Sequence, residues 1–253
     1  MKQVGYLTID DGPTEVFRNK VDLLSSMEIP AIFFCRGERL EKRPDDAIYA
    51  IKKGFVLGNH SYSHPRFSKL DLNECYLEIK QTDEILKKIY VDAGVTRPAK
   101  LFRFPYGDKG SGLEAEHGWP EERDKKLFMR AIQNYLHKHG YHQPMFENIS
   151  YKWYRNAGLH LDKDVYWTYD SYDYSVEKIE DEANGQIRGY KNLSSVLARM
   201  DEDEPEGCRG LNYTRSNDII LVHDILGIEG IFKRLIEALL AKDIYFKLPI
   251  FNI

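Results

Sequence analysis

Seven short runs rich in β-branched and aromatic residues recur along the chain, bounded by turn formers and charged residues: Val4 to Ile9, Ala31 to Cys35, Phe55 to Asn59, Lys100 to Phe104, Val165 to Tyr169, Asp218 to His223 and Asp243 to Leu248. Such runs read as buried strands. Helical spacing lies between them. Val16, Leu23, Leu24 and Met27 fall near a helical period, as do Leu72, Tyr76, Ile79, Leu86 and Ile89 behind an Asp71 cap, and Ile231, Leu235 and Leu239 near the end. Repeated strand–helix units predict an α/β fold with parallel strands and helices outside. With seven or eight units a distorted (β/α) barrel is the expected closure, an open doubly wound sheet being the alternative with the same alternation.

Two segments break the rhythm. Residues 109–163 hold a Gly-rich loop, an amphipathic stretch around Arg123 to His139 and the aromatic "ISYKWYRNAG"; residues 175–217 include the acidic "DEDEPEG". Both read as insertions on loops of one domain covering 1–253, since no internal repeat marks a boundary. A chain of 253 residues with 42% hydrophobic content can bury a core of that size. Its net charge of -4, with no basic cluster interleaved with aromatics, argues against nucleic acid as a partner. No stretch has the length of a membrane span or a leader, so no membrane insertion is expected, and the chain reads as cytoplasmic unless a leader has been removed. Cys35, Cys75 and Cys208 are odd in number and widely spaced, which favours buried thiols over a disulfide framework.

Parallel α/β folds place their chemistry at the carboxyl ends of strands. Here the first run leads into Asp10-Asp11, the third into His60 and His64, the fourth contains Arg103, the fifth runs into Asp170 and Asp173, and the sixth delivers His223. Each has an ordinary reading. Asp-Asp before Gly-Pro suits a turn, an isolated H-x-x-x-H is a weak metal signal, Arg103 could serve a structural ion pair, and one His after an apolar run is commonly semi-buried. Their occurrence in order at five strand ends favours a shared rim. His137 and His139 read as helix C-terminal residues that suit the dipole; His117, His142 and His160 lie in insertions, and Trp153, Tyr154 and Trp167 read as core.

The stretches "TIDDGP", "GNHSYSH", "RFPYG", "DSYDY" and "LVH" resemble, in that order, the five motifs of the NodB-homology polysaccharide deacetylases, carbohydrate esterase family 4. The resemblance implies a NodB-like barrel related to the TIM barrel, and a divalent-metal-dependent hydrolase that removes N-acetyl groups from an amino-sugar-containing carbohydrate. By it Asp10 is the general base, and Asp11, His60 and His64 are metal ligands, with Ser61 supporting their loop. Arg103 pairs with Asp10, His223 is the general acid, Asp173 orients it, and the Tyr106 N–H stabilises the oxyanion. Pro105, Tyr106, Tyr174 and Leu221 would contact substrate. Zn2+ is the expected ion, with Co2+ or Ni2+ compatible with the same donors.

The sequence also departs from the family pattern. Tyr174 stands where Trp usually follows the fourth-motif Asp, which alters the acyl-pocket wall, and Phe104 replaces the first Pro of Arg-Pro-Pro-Tyr. The insertions are expected to cover the groove and restrict it to short or specially shaped substrates. With no leader, a small, nucleotide-linked or lipid-linked sugar is favoured over a wall polymer. O-acetyl ester or other amide hydrolysis is the alternative activity. A non-catalytic carbohydrate-binding relative is disfavoured by retention of both Asp10 and His223.

Overall fold

In the computed structural model, which describes residues 3–112, 118–176, 192–202, 211–212, 215–227 and 229–251, the apolar runs build one parallel sheet. Its strands are β1 (Val4–Asp10), β2 (Ala31–Cys35), β3 (Val56–Asn59), β4 (Tyr169–Asp170), β5 (Asp218–His223) and β6 (Tyr245–Phe246). The order is β3-β2-β1-β5-β4, with β6 also on β1. β5 occupies one edge of β1 from Gly5 to Asp10; β2 takes the other edge from Leu7 onward, which leaves Val4 and Gly5 on that edge for β6.

The two ends of the sheet meet through the remaining predicted run. The Asn59 N–H donates to the Leu101 carbonyl (2.9 Å) and the Arg103 N–H to the Asn59 carbonyl (3.0 Å). On the far side, the Val165 N–H donates to the Phe102 carbonyl (2.8 Å), and the Thr168 N–H to the Ile219 carbonyl of β5 (2.9 Å). Backbone pairing therefore continues from β3 through 100–104 and 165–170 to β5, so six of the seven predicted runs follow one another around a barrel, and the seventh, as β6, pairs with the start of β1 off that path. The fifth run is shorter in regular pairing than its sequence suggested, because only Tyr169 and Asp170 form a ladder with β5.

Strand alternation sorts the side chains. Leu7, Ile9, Phe33, Leu57, Ile220 and Val222 face outward into a core shared with helices α1 (Phe17–Ser26), α3 (Pro44–Lys52), α4 (Leu72–Ala93) and α8 (Glu229–Ala241). Tyr6, Ile32, Phe34, Val56, Leu101 and Ile219 point inward and fill the lower barrel. α2 (Gly37–Lys42) precedes α3, and α7 (Leu193–Arg199) precedes β5. α4 starts as its sequence predicts: the Asp71 carboxylate accepts the Glu74 N–H and the Glu74 carboxylate accepts the Asp71 N–H, a reciprocal cap, and Gly94 ends the helix in the left-handed region.

Three expectations need correction. α1 begins at Phe17 with Val16 as its cap, and its buried face is Phe17, Lys20, Val21 and Leu24; Leu23 and Met27 are only partly covered, because a lysine takes a core position. The described helices of the first insertion pack on the side and the base of the barrel. α5 (Arg123–Lys138) packs on α4, while Tyr151 and Tyr154, flanking the start of α6 (Lys152–Asn156), are buried against Tyr6 and Ile219 at the strand beginnings. Trp153 and Trp167 are core-packed but only partly covered.

His139, just past α5, donates from Nδ1 to the Tyr135 carbonyl, the helix-end role expected of it. Cys35 and Cys75 are buried and free; Cys208, His117 and most of "DEDEPEG" lie outside the described residues. No described helix is long and apolar enough to cross a membrane.

Candidate active site

The inward-facing side chains change character along the barrel. Tyr6, Ile32 and Ile219 at the base give way to Thr8 beside Leu221, and then to Asp10 beside His223, their Cα partner in the neighbouring strand. A parallel register thus sets the candidate base and acid side by side at the upper mouth.

Asp10 is held from below. Arg103, 1% exposed, donates from Nη1 to Asp10 Oδ1 and to Thr8 Oγ1, both at 2.8 Å. Its guanidinium lies 4.3 Å from the centre of the Phe34 ring, and Phe34 fits there because its neighbour is Gly58, where a Cβ would come within 2.7 Å of that ring. The glycine in "VLGN" makes room for the ring that carries the arginine.

Asp11 adopts a left-handed backbone (φ 74°). Its Oδ1 lies 3.2 Å from His64 Nε2 and 3.9 Å from His60 Nε2, while His60 Nε2 is 3.5 Å from Asp10 Oδ2. His60 Nδ1 donates to the Arg103 carbonyl (2.9 Å). A carbonyl can only accept, so the tautomer is fixed and the Nε2 lone pair faces Asp11. His64 reaches the same point through a left-handed residue (φ 66°), steadied by its N–H donating to Ser61 Oγ; Asn59 Oδ1 accepts the Ser61 N–H, and the Asn59 amide is held by the Tyr141 hydroxyl. Asp11, Ser61, His64, Tyr106 and Tyr172 all have positive φ, so much of the non-glycine backbone strain among the described residues gathers on this rim.

The cluster has the chemistry of a cation site. One donor atom from each of Asp11, His60 and His64 lies within 4.8 Å of the others, and Asp11 Oδ1 is a buried acceptor with no hydrogen-bond partner. One carboxylate and two imidazoles suit a divalent ion with open coordination positions. Burial pushes the Asp11 carboxyl up, but His64, His60, His223 and Arg39 together outweigh it and hold it below the usual range. Burial and the adjacent His60 bring His64 down to about 3, which leaves it neutral and able to ligate.

Across the mouth, His223 Nδ1 donates to Asp173 Oδ1 (2.7 Å) and the His223 N–H to Asp173 Oδ2 (2.8 Å). Burial lowers the imidazole, yet Asp173 outweighs it and raises His223 to about 10. Asp170 is pushed up to about 6 by burial, opposed by His223, and its Oδ1 accepts the Tyr172 N–H.

The expected substrate contacts are placed unevenly. Tyr106 is 51% exposed, its ring packs tilted against His64 with centroids 4.6 Å apart and lies under the Arg66 guanidinium; its N–H makes no hydrogen bond among the described residues. Tyr174 meets the His223 ring edge-on at 5.0 Å, and Pro105 is buried. Leu221 is 2% exposed, one layer below His223, so it shapes the floor. Arg39 was not anticipated; its Nη1 donates to the Asp11 carbonyl at 2.9 Å. Its only sequence signal is a charge two residues into α2, which is common on solvated helices.

Residues 1–117 match the family model described as polysaccharide deacetylase. The chain is related to the NodB-homology polysaccharide deacetylases. Among relatives of this family, a peptidoglycan-N-acetylglucosamine deacetylase of Bacillus cereus is 38% identical over 127 residues, covering 50% of this chain and 43% of that protein. The peptidoglycan-N-acetylmuramic acid deacetylase PdaC of Bacillus subtilis is 37% identical over 141 residues, covering 51% and 29%. The chain thus spans less than half the length of either curated relative. Among solved structures, the Bc1960 peptidoglycan N-acetylglucosamine deacetylase aligns over 98% of this chain and 86% of its own, with a TM-score of 0.59 at 21% identity, a likeness of fold.

Proposed function

We propose that this chain is a divalent-metal-dependent hydrolase that removes the N-acetyl group from an amino-sugar-containing carbohydrate. The observation that carries the reading is the juxtaposition of three elements at one barrel mouth: an orphaned carboxylate facing two bare imidazole nitrogens, a second carboxylate on a buried arginine, and an imidazole charged by its own aspartate. Deacetylase names among the relatives support it, and the two relatives differ in the sugar they name, so the choice of sugar does not transfer.

Asp11, His60 and His64 would hold the ion, which supplies Lewis acidity that acidifies water and polarises the acetyl carbonyl. Asp10, fixed by Arg103, accepts the proton of the attacking water. The Tyr106 N–H, pointed by its left-handed backbone, donates to the oxygen on which negative charge develops. His223, kept as imidazolium by Asp173, gives its proton to the departing amine; a positioned acid contributes about 10²- to 10⁴-fold. An amine needs that proton far more than the alkoxide of an ester does, so the charged His223 favours amide over O-acetyl cleavage. Tyr174, against His223, walls the side on which the acyl group sits.

Acetate release from N-acetylated chitooligosaccharides and from an activated acetyl ester, with chelated protein and zinc added back, tests the reading. Zinc-dependent release from the glycans is the expected result. Release from the ester alone would leave the metal chemistry and remove the glycan; no release from either would return the chain to a carbohydrate-binding role.

A further inference from the structure

The lysine in the core of α1 leads to a device outside the five motifs. Asp224, the residue after His223, is 0% exposed, and its carboxylate accepts three hydrogen bonds: from Lys20 Nζ (2.7 Å), from the Thr14 N–H (2.8 Å) and from Thr14 Oγ1 (2.8 Å). Lys20 is 3% exposed and also donates to the Ile225 carbonyl. The Asp224 N–H donates to the Asp10 carbonyl (2.8 Å), and Arg39 Nη1 bridges the Asp11 and Asp224 carbonyls (2.9 and 3.4 Å). Gly12 lies so close that a Cβ there would stand 3.0 Å from Asp224 Oδ2. One buried carboxylate therefore closes the turn after β1, which carries Asp10 and Asp11, onto the end of β5, which carries His223.

A buried ion pair is a poor source of net stability, because desolvating two charges offsets their attraction, and well-packed apolar residues often serve as well. What Lys20–Asp224 supplies that an apolar pair could not is direction. It anchors the Thr14 N–H and hydroxyl, and so the backbone on which Asp11 takes its left-handed conformation. We infer that Asp224 is a positioning residue: through Thr14 and Lys20 it fixes the turn presenting Asp10 and Asp11 in register with His223, and so sets both metal affinity and the pairing of base with acid. The inference rests on the deacetylase reading for its catalytic half only.

The test uses Asp224→Asn, and Thr14→Val with Thr14→Ser as its conservative counterpart, in the whole chain. Zinc affinity is measured by chelator competition, and turnover on an N-acetylated chitooligosaccharide is compared with turnover on an activated acetyl ester. Outer contacts of this kind alter metal affinity or activity by about 10- to 100-fold. Asp224→Asn is expected to weaken zinc binding by about tenfold and to lower amide turnover more than ester turnover. Thr14→Val should do the same to a smaller degree, and Thr14→Ser should restore both. A general loss of folded protein would reduce amide and ester turnover equally and leave the affinity of the remaining folded fraction unchanged. Folded variants with native zinc affinity would overturn the inference. So would Thr14→Ser behaving like Thr14→Val, which decides the matter if Asp224→Asn does not fold. If the wild-type chain cleaves no amide, the deacetylase reading fails while the zinc measurement still judges the clasp.

Discussion

Asp10 and Asp11 are neighbours in the chain with different surroundings. Asp10 ends a strand, points into the barrel and meets Arg103; Asp11 turns left-handed and presents an unpartnered oxygen to two histidines. Their substitutions should separate accordingly. Asp10→Asn is expected to bind zinc with wild-type affinity, measured by calorimetry, while kcat falls by about 10²- to 10⁴-fold, the range of a lost general base. His60→Ala should instead lose zinc affinity. Asp173 raises the imidazole of His223, which stays protonated until the pH climbs through about 10. Removing that carboxylate lets the proton leave earlier: in Asp173→Asn the alkaline limb of the kcat profile should move down by about 1–3 pH units, and an unmoved limb would deny the pairing a role. The place of these residues on one rim was legible because each closes an apolar run or lies within a few residues of its end, and their separate roles came from the resemblance of the five motifs. Lys20, Asp224 and Arg39 were not legible, because a cation in a helix and an acid after a histidine look like solvated surface until the fold shows what they face.

At the level of elements, the chain of support from β3 to the base makes a prediction of its own. A methyl at Gly58 would press on Phe34, on which the Arg103 guanidinium rests. Gly58→Ala should lower stability by about 1–3 kcal/mol, the range for overpacking, read as a fall in Tm, and should reduce kcat although residue 58 touches no reacting group. The strand runs themselves could be read from their apolar content, and α4 from its apolar spacing and its Asp71 cap. The fifth run was over-read because strand propensity marks an extended segment without specifying its partner. Between Val165 and Thr168 that partner is irregular, one backbone bond to Phe102 on one side and one to Ile219 on the other. Likewise the aromatic insertion gave no sign in its sequence of which end of the barrel it would plug.

For the molecule as a whole, an ion held at the unpartnered Asp11 oxygen would couple ion binding to folding. Free zinc at about 100 times its Kd adds about 2.7 kcal/mol to stability by mass action, which in a chain of this size raises Tm by roughly 5–10 °C. Differential scanning calorimetry of chelated and zinc-loaded protein should show that rise, and His60→Ala should abolish it.

The arginine beneath Asp10 has a second attachment, at the point where the ring of strands is thinnest. Val165 gives its N–H to Phe102, but its carbonyl is taken by Arg103 Nε at 3.0 Å, so a side chain stands in for a rung of the ladder. The amides at 100–104 and 165–168 should accordingly be the first of the barrel to exchange with deuterium, well before those of β1 and β5. In Arg103→Lys, whose single ammonium cannot reach Asp10, Thr8 and Val165 together, that local protection should fall along with turnover. The same guanidinium that holds Asp10 is the stitch that joins the barrel at Val165.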